Sequence, residues 1–297
     1  MLKTPLRTHG RYAHRSIEDR PRFRWPGGKG LALYVALNVE HYAFGEGLVE
    51  DLVPGGTQPD VLNNAWREYG TRVGAWRLLR QFEAHGIPLT VLLNSAVYDQ
   101  APDFPAACRA LGHEIACHGR TNSESQAGLP EADERDLIAE ATARIAREEG
   151  VAPEGWLGPW LAETARTPEL IRRAGYRYIM DWGADDQPIW LLTDAGPLLA
   201  MPYSQEINDS VAIIGRQASA AEFADMIIDQ VDQMIADAAE VPLVCGLALH
   251  ANIMGQPFRR RQLDRALAHI AARSGDIWIT RGADIAAFVH EDPSRAV

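Results

Sequence analysis

Six short apolar runs along this chain stop at a polar or titratable residue. LALYVALNVEHY (31–42) closes on Asn38, Glu40 and His41, PLTVLLN on Asn94, EIACH on His118 and YRYIMDW on Asp181. PLLAMPY leads into Ser204 and Glu206, and LVCGLALH stops at His250. Continuous apolar runs of this kind read as parallel strands buried on both faces. Between them lie amphipathic stretches with helical spacing, at 61–85, 102–111, 131–149, 165–174, 219–239 and 257–273. Local signals bound several of them. Ser219 followed by Glu222 is a capping box. Thr167-Pro168 reads as an N-cap with proline at the first helical position. Gly150 and Gly175 are placed to end helices. DIWIT (276–280) reads as a late strand.

Strand and helix alternate from residue 31 onward, about seven or eight βα units with no linker or change of composition. A single-domain parallel α/β barrel is predicted. In such barrels the C-terminal strand ends converge on one rim, where the active site is built. Carboxylates and imidazoles repeatedly placed at strand ends therefore predict an enzyme. Residues 1–30, polar and Arg-rich, are expected to form an arm, 31–290 the barrel and 291–297 a tail. Two long connections, 41–60 and 202–217, are expected to shape or cover the site.

Composition acts mainly by exclusion. The 297 residues are 46% hydrophobic, enough for a sizeable core. With 29 Lys and Arg against 40 Asp and Glu, the net charge of −11 argues against a nucleic-acid partner. Three scattered cysteines without a CxxC fit free buried thiols in a reducing compartment. The N-terminus lacks the apolar stretch of a signal peptide, and no run approaches the roughly 18 apolar residues of a membrane span. The expectation is a soluble cytoplasmic protein with a small-molecule substrate and no membrane partner. The polar arm and the barrel favour a homo-oligomer.

The candidate chemistry sits at the strand ends. Glu40 suits a general base or a metal ligand. His118 suits metal binding or carbonyl polarisation, while Cys117 before it should point to the opposite face and stay inert. Trp156 and Trp160 in GWLGPW would form a rigid apolar wall. Asp181, Asp185 and Asp186, around Trp182, could orient a histidine or contact substrate. His250, costly to bury unpaired, suits a general acid tuned by a carboxylate.

In this order the motifs resemble those of the polysaccharide deacetylase (NodB-homology) superfamily, over roughly residues 25–290. LNVEH stands at the family's TFDD position, HGRTN at H(S/T)xxH, GWLGPW at the RxPxG-like motif and LALH at LxLH. The resemblance implies a distorted (β/α) barrel of the seven-stranded type. WPGG, the Asn38/Glu40 strand end and DWGADDQPIW are similar to the branch holding metal-independent allantoinase and related cyclic-amide hydrolases. In metal-dependent members the first motif supplies a base and a metal ligand, and two histidines four apart complete the centre. Here Glu40 matches the base, His41 the metal position and His118 one histidine, but Asn122 occupies the place of the second. Asparagine is a weak ligand for zinc-type ions, so the resemblance favours chemistry with no cofactor. Should a divalent metal bind, His41, His118 and Asn122 would be its ligands. Leu157 also replaces the family's bracing Arg.

The predicted activity is hydrolysis of a non-peptide C–N bond in a small cyclic amide or imide of hydantoin type. Glu40 activates water, His118 and Asn122 hold the water or the carbonyl, and His250 protonates the leaving nitrogen. Asp185 or Asp181 orients His250, and Asn38, Trp156, Trp160 and Trp182 contact substrate. The alternatives are a metal-dependent deacetylase of N-acetylated sugars and an inactive barrel that binds a ligand or partner.

Overall fold

A computed structural model describes residues 8–297; residues 1–7 of the predicted arm lie outside the described part. The strands are β1 (Leu31–Val39), β2 (Leu89–Leu93), β3 (Glu114–Cys117), β4 (Gly155–Trp156), β5 (Tyr178–Ile179), β6 (Ile189–Leu191), β7 (Leu198–Ala200), β8 (Leu243–His250) and β9 (Ile277–Thr280). The helices are α1 (Val61–Tyr69), α2 (Ala75–His85), α3 (Val97–Gln100), α4 (Asp103–Ala110), α5 (Glu131–Glu149), α6 (Thr167–Arg173), α7 (Ala220–Asp237), α8 (Ala251–Met254), α9 (Pro257–Ala272) and α10 (Gly282–Glu291).

The strands form one curled sheet in the order β6-β7-β5-β4-β3-β2-β1-β8, with β9 beside the start of β1. Neighbours are parallel except β6 and β7, which pair antiparallel. The sheet is therefore a distorted barrel, open between β8 and the β6–β7 side. Loops close that seam. Val244 N–H donates to Asp186 O at 2.8 Å and Ala248 N–H to Ile207 O at 3.0 Å. The antiparallel β6 departs from the all-parallel expectation. It is a three-residue strand joined to β7 by the short 192–197 turn, and antiparallel neighbours need no crossover helix.

Side-chain parity positions the site. Along β1, residues 31, 33, 35, 37 and 39 pack outward against the helices, while Ala32, Tyr34 and Ala36 fill the barrel interior. The alternation of a strand then carries Asn38 and Glu40 to the interior at the rim. On β8, Leu243, Cys245, Leu247 and Leu249 face outward and Val244 and Ala248 inward, which directs His250 inward. On β3, Ala116 is interior and Cys117 exterior, and His118 continues the interior row.

The predicted helical stretches are all present. Ser219 and Glu222 form the capping box, and Gly150 ends α5 at φ 75°. Thr167 is the first residue of α6 and not its cap: Arg166 stands at the cap position, and the Thr167 hydroxyl donates to Glu134. Glu134 is fully buried and takes donors from Gln126, Thr164 and Thr167. The 61–85 helix is one continuous rod with a wide turn at Gly70–Gly74. There Gly74 packs against Ala251, just after His250; a Cβ would lie 2.0 Å from Ala251 O. The described part of the arm packs on the body, with Arg11 paired to Glu169 and Arg20 to Asp185. Among the described residues no helix is long and apolar enough to cross a membrane.

Candidate active site

The interior rows of β1, β3 and β8 deliver Glu40, His118 and His250 to one cavity of about 190 Å³ at the rim. Glu40 is its centre. Oε1 accepts the Asn122 side-chain N–H at 2.7 Å and Oε2 the Tyr42 hydroxyl at 2.8 Å. His118 Nε2 lies 3.4 Å and His250 Nε2 3.7 Å from Oε1. Burial pushes the Glu40 carboxyl up, but contacts led by the His250 charge, with the Tyr42 hydroxyl among them, outweigh it, so the net shift is downward. Glu40 is thus ionised at neutral pH.

His118 Nδ1 is 2.8 Å from Leu157 O. A carbonyl only accepts, so Nδ1 carries the proton and Nε2 is the atom turned to Glu40. His250 is held differently. Its Nδ1 lies 2.6 Å from Asp209 Oδ1, and its backbone N–H donates to Asp209 Oδ2 at 2.9 Å. Burial opposes charging His250, but Asp209 first and Glu40 next raise it to about 10. His250 is therefore an imidazolium with Nε2–H directed toward Glu40.

Asn94 ties the base to its supports. Its Oδ1 accepts the His41 backbone N–H at 2.8 Å, so its amide nitrogen is the other atom. That nitrogen donates to His118 O and, at 3.0 Å, to Asn122 Oδ1. The chain of bonds sets the Asn122 amide with its NH2 toward Glu40. Asn38, paired with His250 across β1 and β8, donates to Tyr203 Oη and Leu249 O, each at 3.1 Å. Tyr203 closes the interior row of β7 and lines the same cavity.

Several expected residues stand elsewhere. Asp185 pairs with Arg20 and caps Gln187 N–H; it does not touch His250, which Asp209 orients instead. Asp181 accepts Gly158 N–H at 2.8 Å, outside the cavity. It follows interior Met180 and so turns outward. Asp186 lines a separate cavity at the seam. Trp182 donates to Glu163 and packs near His9 and Tyr12. Trp156 is outward in the core against Tyr176. Of the expected tryptophans, Trp160 alone lines the cavity, with Nε1–H on Asn122 O at 2.8 Å. Asn122 lines it too, but its N–H is committed to the base. The unexpected members are Tyr42, Glu50, Asn94, Tyr203 and Asp209. Glu50 and Asp209 come from the two long loops.

The donor set does not fit a zinc-type centre. Asn122 offers N–H atoms, and its oxygen is engaged by Asn94. The His41 ring turns to Gln100, 3.2 Å away. Among the described residues no three His, Cys, Asp or Glu side chains are grouped to hold a metal ion.

The family profile described as polysaccharide deacetylase matches residues 64–179. A putative polysaccharide deacetylase of Schizosaccharomyces pombe is 25% identical over 92% of this chain and 93% of its own. Among solved structures, a probable polysaccharide deacetylase of Pseudomonas aeruginosa PAO1 superposes with a TM-score of 0.81 at 28% identity, over 90% of this chain and 93% of that one. The PuuE allantoinase does so with a TM-score of 0.81 at 29% identity, over 92% and 95%. The chain thus carries a polysaccharide deacetylase match over residues 64–179, and its relatives and structural neighbours bear polysaccharide deacetylase or allantoinase names. These similarities identify a hydrolase of C–N bonds other than peptide bonds. The Glu40, His118 and His250 positions coincide with the motifs that carried the resemblance.

Proposed function

We propose that the protein opens a small cyclic amide or imide of hydantoin type, using water activated by Glu40 and no metal. The observation that supports this most is the Asn122 amide, which presents N–H to Glu40 where a metal ligand would present a lone pair. The cavity agrees: about 190 Å³ lies below the roughly 300–1,000 Å³ of sites for larger ligands. A ring fits better than a sugar chain.

Water between Glu40 and His118 finds an acceptor for each hydrogen, Glu40 Oε1 and His118 Nε2. Glu40 takes one proton as the water oxygen adds to the carbonyl carbon. The Tyr203 hydroxyl, whose oxygen accepts from Asn38, donates to the developing oxyanion. His250 Nε2–H passes its proton to the ring nitrogen as the C–N bond breaks, giving an open acid and a free amide or amine. The Glu40 proton then restores His250. Asp209 holds the imidazolium and its orientation throughout.

A second reading, deacetylation of an N-acetylated sugar, draws support from the names of the Schizosaccharomyces and Pseudomonas relatives. Two measurements test the first. Glu40→Gln should lose on the order of 10²-fold or more in turnover, whereas a wild-type rate would remove Glu40 as base. Exhaustive chelation should leave ring opening unchanged, and activity that vanishes and returns with zinc would overturn the metal-free site.

A further inference from the structure

Glu50 is a second carboxylate in the cavity, and the hydrolysis outlined above does not use it. It comes from the 41–60 connection, which is firmly pinned. Leu48 N–H donates to Ser123 O at 2.9 Å, and a Cβ at Gly47 would lie 2.1 Å from that same oxygen. Arg67, 5% exposed, donates to Glu50 O at 2.7 Å, pairs with Asp51 and lies over the Tyr42 ring. Tyr42 in turn donates to Glu40. The loop that carries Glu50 is thus braced against the catalytic base.

The Glu50 side chain is half engaged. Oε1 accepts the Ser210 hydroxyl, next to Asp209. Oε2 is buried and meets no donor in the protein, and so does Asn38 Oδ1, whose residue lines the same cavity. A buried carboxylate oxygen without a donor is costly. The hydrogens on His250 Nε2 and Tyr203 Oη have work at the scissile bond, and the Gln205 and Asn208 amides that also line the cavity make no hydrogen bond to Glu50 Oε2. A substrate N–H can supply the missing partner of Glu50 Oε2.

We infer that Glu50 selects the substrate by accepting the N–H of a second ring nitrogen, outside the scissile bond, so that cyclic ureides are preferred over simple cyclic imides. The inference rests on the cyclic-amide reading above. Burial, opposed by the His250 charge and aided by Glu40, holds the Glu50 carboxyl above its ordinary range, and a donor from the substrate relieves that state. Arg67 and Ser210 serve as positioning residues.

Hydantoin, with a second ring N–H, and succinimide, without one, separate the roles. In full-length wild-type protein, kcat/KM should favour hydantoin. Glu50→Ala should raise KM for hydantoin about tenfold or more, the worth of a hydrogen bond to a charged group, and change succinimide by about twofold at most. Glu50→Gln, nearly isosteric and still an acceptor, should fall between wild type and alanine and reports on the role if the alanine variant folds poorly. Equal losses on both rings, or an unchanged hydantoin-to-succinimide ratio in both variants, would overturn the role of Glu50 alone. Wild-type protein that opens neither ring would overturn the cyclic-amide reading and this inference together.

Discussion

Asp209 grips His250 through both carboxylate oxygens, Oδ1 on the ring Nδ1 at 2.6 Å and Oδ2 on the backbone N–H at 2.9 Å. The pair fixes which face of the imidazole meets Glu40 and keeps it charged. Asp209→Asn should therefore lower kcat/KM on the order of 10²–10³-fold, within the range of lost general acid catalysis. It should also move the alkaline limb of the pH profile from about 10 toward neutrality. Near-wild-type rates with an unmoved limb would show that Asp209 only fills space.

The wild-type pH profile follows from the signs of two shifts. His250 is raised from 6.5 to about 10, so its acid form persists through neutrality and is lost as pH rises through about 10. Glu40 is lowered from 4.5, so its basic form is lost only as pH falls below that value. For succinimide, which Glu50 does not contact, kcat/KM should be flat between these limits. The two limbs belong to the coupled Glu40–His250 pair as a unit. An alkaline limb near 6.5 would contradict the charged His250.

Asn94 accepts from one backbone group and donates to two oxygens, a set no other side chain of its size can match. Asn94→Asp keeps the shape but cannot donate to His118 O or Asn122 Oδ1. It should cost about 1–3 kcal/mol of stability from unsatisfied buried groups and lower kcat as Asn122 releases Glu40. Asn94→Ala should be no worse than the aspartate. Denaturant unfolding and steady-state kinetics check both, and a fully active aspartate variant would show that Asn94 does not hold the base.

Gly74 approaches the chain just beyond His250 so closely that a methyl group cannot enter without displacing Ala251. Gly74→Ala should destabilise by about 1–3 kcal/mol and lower the melting temperature by several degrees. An unchanged melting temperature would refute the close approach.

Much of this was legible in the chain because strands end where chemistry begins. The parity of LALYVALNVE and LVCGLALH already separates Asn38, Glu40 and His250 from the outward Leu37, Val39 and Leu249. The same parity, applied to YRYIMD, would have turned Asp181 away from the site, and in GWLG it would have turned Trp156 outward. What stayed hidden came from loops. Glu50 and Asp209 lie in the two long connections, where no periodicity reports which way a side chain points. Their placement depends on tertiary contacts, Arg67 and Ser123 for one and the β8 edge for the other. Asp185 was drawn toward Arg20 of the arm, a pairing that sequence spacing does not reveal. Asn94 was visible as a strand end, but its role depends on Asn122 and His118 meeting it from another strand.

The most direct test is a parallel assay of the wild-type protein on hydantoin, succinimide and N-acetylglucosamine, following ring-opened product and released acetate. Ring opening without acetate release is the predicted result. Acetate release from the sugar with both rings left intact would contradict it.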